Sequence, residues 1–148
     1  MNGVRIHVAL NVSRFEESVA FYRSMLGADP VKLKPGYAKF SVPELPLNLT
    51  LNYDPEAKGR GALNHLGIEV PTTEQVLRAR ERVQNSGLAV FDEMGVDCCY
   101  ALQDKVWVTD PNGYRWEIFT VKVGDTEPEK NVSLEELGAR SGPACCGP

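Results

Sequence analysis

Residues 6–12 read Ile-His-Val-Ala-Leu-Asn-Val, and residues 64–70 read Asn-His-Leu-Gly-Ile-Glu-Val. Each stretch alternates apolar and polar side chains, which predicts a β-strand with one apolar face. The apolar faces correspond residue by residue, with Val8, Leu10 and Val12 matching Leu66, Ile68 and Val70. This repetition predicts an internal duplication, in which His7 and His65 occupy equivalent positions on the polar faces.

An amphipathic helix is predicted after each of these strands. In the first copy, Ser13 and Glu16 have the spacing of a capping box, and an apolar stripe follows them. In the second copy, Thr72 and Gln75 have the same spacing. A glycine, at positions 27 and 87, is expected to end each helix.

Short strands are predicted after both helices. In the first copy they lie near 29–33, 37–42 and 47–53, and in the second near 89–94, 98–103, 105–109 and 114–122. Asp-Pro-Asn-Gly at 110–113 is a strong turn signal before the last strand. The pattern predicts an α+β protein in which two β-α-β-β-β repeats form one half-open, barrel-like mixed sheet with the helices outside.

One domain is expected over residues 1–123, with its repeats at about 4–53 and 63–122. The connection at 54–62 is rich in glycine, proline and charge, which suits a flexible linker. The tail at 124–148 is rich in Glu, Gly, Pro and Ser, so it is expected to be irregular. Within that tail, only 132–137 has the pattern of a short helix.

Composition narrows the class of protein and of partner. A chain of 148 residues suits one compact domain. The net charge of −4, without a cluster of Lys and Arg, argues against nucleic acid or an anionic membrane as a partner. No apolar run approaches the roughly 18–20 residues that span a bilayer, and the N-terminus lacks the apolar block of a signal peptide. We therefore expect a cytoplasmic protein with reduced thiols.

The polar faces of the strands suggest a metal site. His7 and His65 are the only histidines, and Glu117 lies on the polar face of the last predicted strand. If the repeats pair side by side, these three side chains point into one concave surface. Two imidazoles and a carboxylate are typical of non-haem iron(II) sites, although nickel, cobalt or zinc would also bind them. The alternatives are structural histidines and a solvated edge-strand carboxylate.

The four cysteines form two adjacent pairs, Cys98–Cys99 and Cys145–Cys146. Neighbouring thiolates can chelate one soft ion, such as trivalent arsenic, cadmium or mercury. The alternative is that they are small, buried apolar residues. Because consecutive side chains of a regular strand point to opposite faces, Cys98 and Cys99 can hold one atom together only from a loop or a bulge.

This combination resembles the vicinal oxygen chelate superfamily, which includes glyoxalase I, extradiol dioxygenases and fosfomycin-resistance proteins. The narrower resemblance is to the organoarsenical carbon–arsenic lyases, and related cadmium-induced proteins are also similar. The superfamily resemblance rests on the duplicated unit with its two histidines and Glu117. The narrower one rests on the segments 34–40, 63–70, 98–101, 104–111 and 116–117, within a match covering about 4–123.

The resemblance implies that His7, His65 and Glu117 bind Fe(II), with dioxygen as co-substrate. It also implies that Cys98 and Cys99 bind the arsenic of a trivalent organoarsenical, such as methylarsonite or an aromatic arsenical. The products would be arsenite and an oxidised carbon fragment, so the activity would detoxify arsenic. Two thiolates match the two exchangeable positions on such an arsenic atom, which would orient the carbon toward the metal.

Several residues keep two interpretations. Tyr100 is a candidate to close over bound substrate, or else it is a core tyrosine. Lys105 is a candidate to act electrostatically on the substrate, or else it is a solvated strand lysine. Cys145 and Cys146 either capture arsenicals or have no catalytic part.

Two other functions also stay open from sequence. One is cadmium or arsenical binding by the thiols without turnover. The other is a different glyoxalase-like metalloenzyme, in which the cysteines have no catalytic role. The pattern is compatible with a monomer or a homodimer, because two repeats can pair within one chain or between two chains.

Overall fold

The computed structural model describes residues 3–98, 101–124, 126–131 and 133, without the side chains of Cys98 and Lys130. In chain order the elements are β1 (Ile6–Val12), α1 (Phe15–Leu26), β2 (Lys32–Lys34), β3 (Tyr37–Ser41), β4 (Leu47–Tyr53), β5 (Leu66–Glu69), α2 (Thr73–Asn85), β6 (Val90–Cys98), β7 (Ala101–Thr109), β8 (Arg115–Val123) and the 3-10 helix η1 (Pro128–Lys130). The predicted tail helix at 132–137 falls almost wholly outside the described residues. None of the described helices has the length and apolar character needed to cross a membrane.

The strands form two four-stranded sheets, ordered β1-β4-β3-β2 and β5-β8-β7-β6. In each sheet the first and last strands of the repeat pair in parallel, and the other pairs are antiparallel. The predicted α+β class with two β-α-β-β-β repeats is therefore confirmed. Among the described residues no sheet closes into a barrel, and β1 and β5 are edge strands of their sheets.

The hairpin of β6 and β7 differs from the sequence prediction. The strands predicted at 98–103 and 105–109 are one continuous strand, β7, and β6 extends to Cys98. The register of the pair shifts between Glu93 and Val96, where Gly95 has a φ of 61°. A glycine with positive φ is typical of a β-bulge, and this bulge explains why the segment resembled a loop in sequence.

The two helix starts behave differently. The side chain of Thr72 accepts a hydrogen bond from the backbone N–H of Gln75, so the predicted cap of α2 is confirmed. The cap predicted for Ser13 is wrong, because α1 begins after Arg14 without a side-chain cap. Ser13 instead donates through its backbone N–H and its hydroxyl to Oδ1 of Asn112, both at 2.9 Å. A residue that resembled a local cap therefore joins the two repeats.

The repeats share one core on the helix side of both sheets. α1 packs against α2, and buried side chains of both sheets join them, including Val12, Leu49, Leu51, Val106, Trp116 and Ile118. Tyr22 of α1 lies at the centre, where its hydroxyl donates to Oδ2 of Asp110 at 2.7 Å and accepts from Nε1 of Trp116 at 3.1 Å. Because the helix sides face each other, the polar faces of the sheets point away from this core.

Candidate metal site

The polar face of the second sheet carries most of the predicted site. β8 places Arg115, Glu117 and Phe119 on this face, because Trp116 and Ile118 point into the core. The register sets Glu117 between Trp107 of β7 and Gly67 of β5. The carboxylate of Glu117 therefore lies in the middle of the sheet, and this residue is only 7% exposed. The alternative of a solvated edge-strand charge is wrong for Glu117.

His65 lies next to this carboxylate. It immediately precedes β5, and its Nε2 is 3.6 Å from Oε1 of Glu117. Its Nδ1 is 2.7 Å from Oδ1 of Asn64, and in the tautomer with the proton on Nδ1 the ring donates to this amide oxygen. In that tautomer the lone pair of Nε2 faces Glu117, as a metal-binding imidazole needs. The ring also packs edge-on against Trp107, with centroids 4.9 Å apart.

Lys105 is completely buried beside Glu117. Its Nζ lies 3.0 Å from Oε2 of Glu117 and sits over the rings of Trp107 and Phe119, at 5.6 and 5.9 Å from their centroids. The alternative of a solvated strand lysine is wrong. A buried ammonium group needs a partner of opposite charge, and here Glu117 supplies it.

Gly67 makes room for Glu117, a role that the sequence analysis did not assign. A Cβ atom at position 67 would lie 3.1 Å from Cγ and 3.2 Å from Oε1 of Glu117, closer than side chains normally approach. A glycine inside a predicted strand often marks such a close approach, and that signal was available from sequence. This cradle lets the carboxylate lie flat against β5, within reach of His65.

Trp107 and Arg115 complete this face. Nε1 of Trp107 donates to Oε2 of Glu93 at 2.9 Å, and the guanidinium group of Arg115 stacks over its ring at 4.6 Å. Nη2 of Arg115 is buried and has no hydrogen-bond partner in the part of the chain that the structure describes. A second positive charge with an unused donor therefore lies on the face that carries Glu117.

His7 does not join this group. It lies on β1 of the other sheet and is exposed, as are Ala9 and Asn11 on the same face. Over the described ranges, no three His, Cys, Asp or Glu side chains are close enough to hold a metal ion. The nitrogen and carboxylate donors of His65 and Glu117 suit Fe(II), but one chain brings together only these two of the three expected ligands.

Of the four cysteines, the structure describes only the backbone of Cys98. Cys98 is the last residue of β6 and pairs in register with Ala101. Its side chain, together with Cys99, Tyr100 and both cysteines of the tail, lies outside the described residues. Ala101 precedes Lys105 by four positions on β7, so the end of β6 lies roughly 13 Å along the sheet from the Lys105–Glu117 pair.

Comparison with known proteins identifies the family. Residues 5–118 match the model of the glyoxalase/bleomycin resistance protein/dioxygenase superfamily. The chain belongs to this superfamily. The resemblance inferred from the duplicated strands, the histidines and Glu117 is therefore confirmed at the level of the family.

Relatives at 42–45% identity match most of the chain. A trivalent organoarsenical cleaving enzyme from Bacillus sp. (strain MD1) is 42% identical over 153 residues, covering 96% of this chain and 89% of that protein. A cadmium-induced protein from Mycobacterium tuberculosis (strain H37Rv) is 45% identical over 123 residues, covering 83% and 79%. The narrower resemblance to organoarsenical-cleaving proteins therefore extends along nearly the whole chain.

Solved structures of the superfamily have the same fold. A glyoxalase/bleomycin resistance protein/dioxygenase from Alicyclobacillus acidocaldarius aligns with a TM-score of 0.66 and 13% identity, covering 81% of this chain and 92% of that one. At this identity the likeness establishes the fold alone. The glyoxalase-type fold hosts many chemistries, so the site residues must carry any argument about function.

Proposed function

We propose that this protein cleaves the carbon–arsenic bond of trivalent organoarsenicals, such as methylarsonite, in a reaction that requires Fe(II) and dioxygen. The observation that carries the proposal is the pairing of a half-buried His65 with the buried Glu117, whose facing atoms are 3.6 Å apart on the face of the second sheet. The organoarsenical cleaving enzyme that matches 96% of the chain supports the choice of substrate.

In this proposal, Cys98 and Cys99 bind the substrate. Each thiol forms one As–S bond, the two As–O bonds of methylarsonite break, and two waters leave. The thiolate is the reactive form, and the reducing cytoplasm in which we place the protein would keep both thiols free. Two adjacent thiols converge on one atom only where the chain departs from the alternation of a regular strand, so the proposal requires such a departure between Cys98 and Cys99.

The metal would be held by His7, His65 and Glu117. Iron(II) bound there supplies the one-electron chemistry with dioxygen that amino-acid side chains lack. In the overall reaction, methylarsonite and O2 give arsenite and formaldehyde: the methyl carbon loses four electrons and O2 gains them. The protein's own part is to hold the His65 ring through Asn64 with Nε2 toward Glu117, to keep Glu117 in its cradle and to exclude bulk water from the carboxylate.

A homodimer would supply the third ligand. Within one chain the repeats pack through their helices, which leaves His7 exposed on one sheet and His65 with Glu117 on the other. β1 and β5 each lie at an edge of their sheet. β1 carries His7, and β5 directly follows His65. We therefore propose that His7 of one copy completes the site of a second copy.

Arsenic speciation tests the activity. Iron(II)-loaded protein is incubated with methylarsonite in air, and we expect arsenite and formaldehyde in equal amounts. His65→Ala and Cys98→Ser should each lower the rate by more than about tenfold. A variant in which Cys145 and Cys146 are both serine serves as the matched control and should keep the rate. The proposal fails if the iron-loaded wild type releases no arsenite.

The same experiment addresses the two alternatives. A binding protein without turnover would bind arsenical stoichiometrically and be indifferent to His65→Ala. A different glyoxalase-like metalloenzyme would act on another substrate and be indifferent to Cys98→Ser. Release of arsenite that depends on both residues argues against each.

Mixed dimers test the shared site. His7→Ala protein lacks only the donated histidine, and Glu117→Gln protein lacks only the acceptor carboxylate. If sites are shared between copies, refolding equal amounts of the two inactive variants together restores about a quarter of the wild-type sites. If each site lies within one chain, mixing restores none.

A further inference from the structure

We infer that Lys105 is a positioning residue that makes Glu117 bind the metal ion through one oxygen only. The inference rests on the proposed metal site and goes beyond it by assigning the coordination mode. It also replaces the role in substrate binding expected for Lys105 from sequence. The two oxygens of the Glu117 carboxylate have different neighbours.

Oε2 of Glu117 is already engaged. It accepts a hydrogen bond from Nζ of Lys105 at 3.0 Å, and both residues are buried. Oε1 instead faces His65, the other candidate metal-binding residue, at 3.6 Å from its Nε2. It also lies over the open space at Gly67. The oxygen that Lys105 leaves free is thus the one next to the imidazole.

Lys105 is also held in place. Its side chain is 0% exposed, and its ammonium group lies over the rings of Trp107 and Phe119. Trp107 is itself tied to Glu93 through its indole N–H. A lysine packed in this way cannot move into solvent as a surface lysine does, so its hydrogen bond to Oε2 constrains the carboxylate continuously.

The constraint has a consequence for the ion. A carboxylate can bind a metal through one oxygen or through both, and each oxygen occupies one coordination position. A lysine that keeps Oε2 occupied preserves one additional position for water, dioxygen or substrate. Catalytic metal sites depend on such open positions, so the buried Lys105 would serve the reaction without touching the substrate.

The test counts water ligands on bound Mn²⁺, a paramagnetic ion that oxygen and nitrogen ligands coordinate. Water-proton relaxation is measured for the Mn²⁺-loaded wild type, Lys105→Met and Lys105→Gln. Lys105→Met frees Oε2 and should remove about one water ligand, since the carboxylate then binds through both oxygens. Lys105→Gln keeps an N–H donor and should retain the wild-type number.

Lys122→Met is the matched control. Lys122 also pairs with a buried carboxylate, Oδ2 of Asp104 at 2.8 Å, but it makes no contact with Glu117. This variant should keep the wild-type number of water ligands. An unchanged number in Lys105→Met, or an equal loss in Lys105→Gln, would overturn the inference.

A second measurement needs no Lys105 variant and covers the case in which Lys105→Met does not fold. The infrared difference spectrum of metal-loaded minus metal-free wild type, assigned through its loss in Glu117→Gln, reports the carboxylate stretches. A wide separation of the two stretches indicates binding through one oxygen, and a narrow separation would overturn the inference.

The outcomes separate this inference from the proposed function. If Mn²⁺ does not bind, or binds equally well to His65→Ala, the metal site and the role of Lys105 both fail. If binding depends on His65 and Glu117 while both measurements contradict one-oxygen binding, only the role of Lys105 fails.

Discussion

The hydroxyl of Tyr22 donates a 2.7 Å hydrogen bond to Oδ2 of Asp110, although 88 residues separate them in sequence. Tyr22 belongs to α1 of the first repeat, and Asp110 begins the turn before the last strand of the second. Burial raises the pKa of Tyr22, and the neighbouring Asp110 raises it further. This buried bond joins the two repeats on the side of the molecule opposite the candidate metal site.

Removing this hydroxyl should weaken the junction of the repeats. Tyr22→Phe leaves Oδ2 of Asp110 and Nε1 of Trp116 without their partner, so we expect the free energy of unfolding to fall by about 1–3 kcal/mol. Denaturant unfolding measures the change. Tyr114→Phe is the control, because its hydroxyl makes an exposed 3.3 Å contact, and it should change stability by less than about 0.5 kcal/mol.

Asp110 should make stability depend on pH in an unusual direction. Burial raises its pKa above 3.8, although hydrogen bonds from Tyr22 and three backbone N–H groups oppose the shift. Its contribution to stability is therefore complete below pH 3.8 and is lost as the pH rises through the higher folded-state pKa. The unfolding free energy of wild type minus that of Asp110→Asn should decrease over this range, and a constant difference would contradict the prediction.

Asp104 should behave in the opposite way. Burial alone would raise its pKa, but hydrogen bonds from Lys122, Thr73 and the backbone of Gly95 lower it below 3.8. Its contribution is therefore present above pH 3.8 and is lost as the pH falls through the folded-state pKa. The unfolding free energy of wild type minus that of Asp104→Asn, measured during acid titration, should shrink as the pH falls. A difference that grows as the pH falls would contradict the prediction.

The cradle at Gly67 can be filled. In Gly67→Ala the new Cβ would lie 3.1 Å from Cγ of Glu117, so the carboxylate must move away from His65. We expect about 1–3 kcal/mol of lost stability and roughly ten- to hundredfold weaker metal binding, measured by calorimetric titration. Gly124→Ala is the control, because its Cβ would meet nothing within 4 Å and should leave the affinity unchanged. Equal affinities in both variants would show that the cradle has no role.

Much of the fold was predictable because its signals are local. The alternation in 6–12 and 64–70, the cap at Thr72 and the glycines at 27 and 87 depend on neighbours a few residues away, and they predicted both repeats. The hairpin of β6 and β7 was mispredicted because a bulge at Gly95 has the composition of a loop. Ser13 was mispredicted for a related reason, since its partner, Asn112, lies in the other repeat.

By itself, the sequence determined the duplicated architecture, the family and the strand faces of His7 and Glu117, and it placed His65 at the equivalent position of the second repeat. The tertiary structure alone decided that His65 meets Glu117, that Lys105 is buried against it and that His7 lies apart on another sheet. The physical reason is that alternation assigns a side chain to a face of its own strand. Which faces then meet depends on how two sheets and two helices pack around a shared core, and residues far apart in the chain make that core.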